Sequence, residues 1–128
     1  MEIKMKFIDF LNESKTLIKA AISSVDVYVT KNGDEYSIHV GFNTSNDVKF
    51  KTDDWKDFLN DLLNDKHLYD LLSEVNDDDE EHAGCQFSFI DINDEDLKEI
   101  YLAVSAKFDI EYHSKSCEKI IKTLFGDN

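Results

Sequence analysis

The chain reads as an α+β protein, a mostly antiparallel sheet of about five strands with about three helices packed against it, in the order α-β-β-β-α-β-β-α. Three observations predict this. Apolar residues recur at three- and four-residue steps from Phe7 to Ile22, and the period then switches to two between Val25 and Phe42. Asn32-Gly33 interrupts the alternating stretch, and this dipeptide is the strongest short hairpin signal. Helical spacing returns over residues 115–125. With 128 residues and 41% apolar content, the expectation is a single domain, 1–128, able to bury a sizeable core.

Taken in order, Phe7, Phe10, Leu11, Leu17, Ile18, Ala21 and Ile22 predict an amphipathic helix over roughly residues 5–23. Val25, Val27 and Val29 form one arm of a hairpin, and Tyr36, Ile38, Val40 and Phe42 form the other. A two-residue turn at Asn32-Gly33 pairs Lys31 with Asp34, Val29 with Tyr36 and Val27 with Ile38, so apolar meets apolar on one face. Val48 and Phe50 suggest a short third strand. Thr52 then caps a second helix running to about Val75, with Asp53 and Asp54 at its positive end. The segment NDDDEEHAG, 76–84, has no periodicity and much like charge, which predicts an exposed acidic loop. A fourth strand follows at Cys85–Ile92.

Residues 97–112 fit two patterns. Leu97, Ile100, Tyr101, Val104 and Phe108 suit a helix but leave Leu102 and Ile110 off its face. Every second residue from Ile100 to Tyr112 is apolar, which suits a long strand, and the strand is preferred. It would pair with 85–92 through a turn at Asn93–Asp96. Ile120, Ile121, Leu124 and Phe125 give a closing helix at Lys115–Phe125.

The net charge of −14 is unevenly placed. Residues 1–52 hold seven acids and seven lysines, and residues 97–128 hold five of each. Residues 53–96 hold sixteen acids against Lys56 and Lys66, so the whole net charge lies in the middle third. A confined acidic block makes a directed field rather than general solubility. Arginine and proline are absent. Without arginine there is no bidentate phosphate fork, and phosphate recognition rests on lysine alone.

On the predicted second helix, Asp54, Asp57, Asp61 and Asp65 fall within roughly 80° of one another. Trp55, Leu59, Leu62 and Leu63 face the other way. The carboxylates would follow one another at about 5–6 Å of helix rise, a scale comparable with phosphates along a nucleic-acid strand. Asp77, Asp78, Asp79, Glu80 and Glu81 in the loop, and Asp94, Glu95 and Asp96 in the turn, would widen the field. An acidic solvent face is common in itself. Like charges at i,i+4 nonetheless cost a helix a few tenths of a kcal/mol per pair, and only Lys56 and Lys66 offset them, whereas the rest of the chain balances its charges. Direct nucleic-acid binding is disfavoured, because counterion release needs cations where this chain has carboxylates.

Other constellations are weaker. His82, Cys85, His113 and Cys117 imitate a four-ligand zinc pattern. On the expected hairpin, however, Cys85 and His113 stand roughly 30 Å apart. Asp91, Asn93 and Glu95 alternate as in a calcium loop, but Asp96 occupies the glycine place and Leu102 the glutamate place. The expected register sets Asp26 across from His39, within reach for an ion pair. No nucleophile motif, glycine-rich loop or metalloprotease signature accompanies them. The sequence thus predicts no cofactor, no metal, no enzymatic activity and no continuous apolar stretch long enough to span a membrane.

Two cysteines make no disulfide framework, which favours a reducing cytoplasm, the host's if the chain is phage-encoded. The function that fits best is an inhibitor of a basic protein, a nuclease or another nucleic-acid-handling effector of defence or toxicity. Its carboxylates would occupy the basic groove, as in anti-restriction, anti-CRISPR or toxin-immunity proteins. The alternative is a metal-regulated or generic interaction module in which 76–85 orders on binding an ion.

Overall fold

In the computed structural model, the described residues are 17–44, 50–77 and 84–126. Residues 17–21 are helical, and Ile18 is wholly buried. Strand β1, Ile22–Asn32, begins directly afterwards, so the expected first helix stops two residues early. Its part before Leu17 lies outside the described residues.

β1 and β2, Glu35–Thr44, form the expected antiparallel hairpin with a different register. Val29 faces Ile38, Val27 faces Val40, and Asn32 faces Glu35. The turn residues are therefore Gly33 and Asp34, not Asn32 and Gly33. Gly33 has φ 65 while Asp34 keeps a negative φ, so glycine takes the first central position of the turn. The shift is two residues, which leaves every side chain on its predicted face. Alternation determines which face a residue takes, and the turn selects among the registers that satisfy it.

No strand forms at Phe50, which packs edge-on against Trp55 with ring centroids 5.8 Å apart; Val48 lies outside the described residues. Helix α1, Thr52–Leu63, starts after Lys51, whose side chain makes no capping bond. Thr52 is thus the first helical residue rather than the cap. The helix does not run on to Val75. Asn64 adopts the left-handed conformation at φ 49, which a short polar side chain tolerates. Asp65 is extended and accepts a hydrogen bond from the Leu68 amide at 3.2 Å, opening the short helix α2, Lys66–Asp70. Strand β3, Leu72–Asp77, follows, and Leu72 and Val75 pair with Phe89 and Phe87.

Strand β4, Gly84–Ile92, lies between β3 and β2. Gly84 has φ 146, and a Cβ there would stand 2.2 Å from the Phe42 carbonyl oxygen, so no side chain fits. Asp91, at φ 56, marks a bulge between Phe89 and Ile92 that turns both inward, opposite Ile38 and Tyr36.

The expected strand over 97–112 is a helix, α3, Asp94–Ser105. Asn93 accepts from the Asp96 amide at 2.8 Å, and three acids occupy the first turn, where the helix dipole favours them. Leu97, Ile100 and Val104 are buried, at the cost of leaving Leu102 half exposed. The Asn93–Asp96 segment is a cap, not a hairpin turn. Strand β5, Tyr112–His113, runs parallel to β1, and helix α4, Lys115–Phe125, closes the chain as predicted, capped by Ser114.

The sheet order is β3-β4-β2-β1-β5, mixed but mostly antiparallel, and the class is α+β as expected. α3 lies between α1 and α4 and covers β2, α1 reaches β3, and α4 covers β1. Val25, Val27, Val29, Ile38, Val40 and Phe42 point into this helical layer. Trp55, Phe42, Phe87, Phe58 and Phe108 interlock beneath it at centroid distances of 5.4–6.4 Å. Ser24, Asp26, Ser37, His39 and Asn43 alternate onto the opposite face, where they are half-buried. No described helix is long and apolar enough to cross a membrane.

Candidate partner-binding surface

α1 is positioned by its apolar side. Trp55, Phe58, Leu59, Leu62 and Leu63 are buried, which turns Asp57 and Asp61 to solvent and leaves Asp54 half-buried. These three acids share the helix as the spacing predicts. Asp65 does not belong to that helix. The helix stops at Asn64, and Asp65 spends one carboxylate oxygen on the cap of α2.

The break has a further result. Asn60, Asp61, Asn64, Asp65, Tyr69 and Asp70 line a groove of about 590 Å³ where α1 meets α2. Lys66 is the single cation of its wall and lies 3.6 Å from Asp70, with both side chains largely exposed, so this pair carries little energy. Asp70 was not among the expected site residues. On a continuous helix it would have pointed away from Asp54 and Asp57, and only the turn at Asn64 brings it beside Asp61 and Asp65. The Asn64-Asp65 pair, a left-handed stop followed by a cap residue, was the available signal.

The remaining acids divide. Asp77 ends β3 opposite Cys85, while Asp78, Asp79, Glu80 and Glu81 lie outside the described residues. Asp94 and Glu95 are exposed in the first turn of α3. Asp96 turns inward, 8% exposed, and its carboxylate meets His67 Nε2 at 3.1 Å, tying α2 to the start of α3. Asp53, Asp54, Asp94 and Glu95 favour their own helix N-termini. Asp57 and Asp61 have no such reason, being beyond the first turn and four residues apart.

The other candidate groups are placed differently from expectation. His39 pairs with Tyr28, not Asp26, and its Nδ1 lies 2.7 Å from the hydroxyl of buried Ser88. Asp26 faces Gly41 and accepts from the Asn43 side chain at 3.2 Å. The hairpin that separated Cys85 from His113 does not form, so that distance argument lapses. Among the described residues, no three His, Cys, Asp or Glu side chains converge as a metal site; His82 lies outside them. Cys85 and Cys117 are buried thiols outside any disulfide. Burial, and secondarily Glu118, pushes the Cys117 thiol up to about 11, which keeps it protonated rather than ligating at neutral pH. His113 Nε2 lies 2.9 Å from the Tyr101 hydroxyl, whose own ionisation is raised by burial and then by Cys117. Asn93 and Asp91 serve as cap and bulge, the roles their spacing resembled a calcium loop in filling. Compared with protein-family models, with curated proteins and with solved structures, the chain has no match.

Proposed function

We propose that this chain is a small inhibitor that binds a basic protein, a nuclease or another nucleic-acid-handling effector, and blocks its nucleic-acid groove without covalent chemistry. The observation that carries this reading is the segregation of charge. All of the net −14 belongs to residues 53–96, and within that block Asp57 and Asp61 stand exposed on α1 beside a groove ringed by Asp65 and Asp70. A partner's lysine or arginine reaching between α1 and α2 meets three carboxylates and the ring of Tyr69, a setting that suits a cation through both charge and π face. Asp54 extends the line toward the start of α1. The two cysteines, held as thiols, fit action in a reducing cytoplasm.

The experiment is an affinity capture with the intact chain, followed by a nuclease or nucleic-acid-binding assay on the captured protein. Converting Asp57 and Asp61 together to lysine leaves the far-UV spectrum unchanged and abolishes capture, and binding by the unaltered chain weakens steeply with salt. A captured partner that holds the double variant equally well, or whose nucleic-acid binding proceeds undisturbed in the complex, rules the reading out.

A further inference from the structure

The opposite end of the helical layer carries the reverse charge. Lys115, Lys119 and Lys122 recur at four- and three-residue steps along α4 and line one groove of about 510 Å³. None of the three forms an ion pair among the described residues, although the chain holds twice as many acids as lysines. Glu118 is the one carboxylate in the wall, which leaves the groove with a net positive charge. The rest of the wall is apolar or weakly polar, with the Tyr101 and His113 rings inclined at 42° to one another. Tyr101 and His113 stand with ring centroids 5.9 Å apart, and Ile121 completes that side. The groove volume falls within the range of small-ligand sites.

We infer that this groove binds a small phosphate ester of a flat ring compound, with the phosphate held by Lys115, Lys119 and Lys122 and the ring laid against Tyr101 and His113. Lysine is the only permanently cationic side chain this sequence possesses, so a phosphate site here has to be built from point charges gathered on one helix face. Tyr101 supplies a hydroxyl at the groove wall, and its contact with His113 holds both rings in place. The site draws on α4, His113 and Tyr101 of α3 and shares no lining residue with the acidic groove at α1 and α2, so it is independent of the acidic surface and of the inhibitor reading.

The test is a titration of the isotopically labelled intact chain with adenosine monophosphate, monitored by amide shifts, with adenosine and inorganic phosphate as separate arms. The expected result is saturable shifts confined to Tyr101 and residues 113–122. Affinity for adenosine monophosphate should exceed that for inorganic phosphate, and adenosine should cause no saturable change. Lys119→Glu should weaken binding roughly tenfold or more, whereas Lys107→Glu, at a lysine outside the groove, should not. Shifts spread over lysines throughout the chain, equal affinity for inorganic phosphate, or equal weakening by Lys107→Glu would overturn the assignment. So would the absence of saturation.

Discussion

α1 and α4 have nearly the same length, 12 and 11 residues, and both pack on the helical side of one sheet, yet they are built on different terms. α1 buries five apolar residues and presents aspartates. α4 buries only Cys117, with Ile120, Ile121 and Leu124 partly covered, and presents lysines. Each helix holds like charges four residues apart, Asp57 with Asp61 and Lys115 with Lys119. Such a pair costs about 0.2–0.5 kcal/mol, whereas a fully buried large apolar side chain contributes roughly 1.5–3 kcal/mol. α1 therefore tolerates its repulsion with a wide margin. α4 has less reserve and recovers some through the Ser114 cap and through Lys122 near its negative end. The difference teaches that anchoring and surface charge are set separately here, and that charge unfavourable to its own helix is better evidence of use than charge that stabilises it.

The largest effect expected from this contrast is in anchoring. Trp55→Ala removes the hub of the aromatic cluster and should cost about 3–5 kcal/mol in urea unfolding, while Ile121→Ala, at a half-covered position, should cost no more than about 1–2 kcal/mol. Equal losses would erase the distinction between the two helices. A second effect is carried by Cys117, whose thiol is raised from the usual 9.0 to about 11 by burial. Below pH 9 folded and unfolded chains both keep that proton, and the term is silent. Above pH 9 the unfolded chain releases it and the folded chain does not, so stability falls as pH rises toward 11, by up to about 1.4 kcal/mol per pH unit. Urea midpoints at pH 8, 9 and 10 measure the slope, and Cys117→Val should flatten it; an unchanged slope would show that α4 does not bury its thiol. The smallest effect is on α1. Asp57→Lys places a cation four residues from both Asp53 and Asp61 and should raise stability by about 0.5 kcal/mol. A loss instead would mean that Asp57 serves the fold, and its case as a contact residue would weaken.

Much of this architecture was legible in the residues, and the failures share a cause. The hairpin faces and the bounds of α4 followed from periodicity, because each has a single period and a clear punctuation mark, Gly33 in one case and Ser114 in the other. Over 64–75 the spacing of Leu68, Leu71, Leu72 and Val75 continues the helical stripe of α1 and conceals the stop at Asn64-Asp65, although both residues are ordinary helix punctuation. Over 94–105 two periods coincided. Asn93 followed by Asp94, Glu95 and Asp96 is a helix start, and the same four residues also resemble a turn. Burial of Leu97, Ile100 and Val104 decided the matter at the expense of Leu102. Of the expected contact residues, Asp54, Asp57 and Asp61 share α1 as their spacing indicated. Asp65 and Asp70 join them through a bend that no periodicity could reveal.

The outer edge of β1 bears on how this molecule meets copies of itself. Its carbonyls at Val25, Val27 and Val29 accept from the Glu111 amide, the Ser114 amide and the Ser116 hydroxyl, at 3.0, 3.1 and 2.7 Å, so the two residues of β5 and the start of α4 close that side. β3 is the other end of the sheet, and among the described residues it has a neighbour only at β4. Among the described residues, the longer free edge is therefore that of β3, six residues against two in β5, next to exposed Glu74 and close in sequence to Asp70. Two molecules approaching through that margin bring carboxylates together. Like charge along that margin thus works against edge-to-edge pairing of two copies, as gatekeeper residues do on exposed strands.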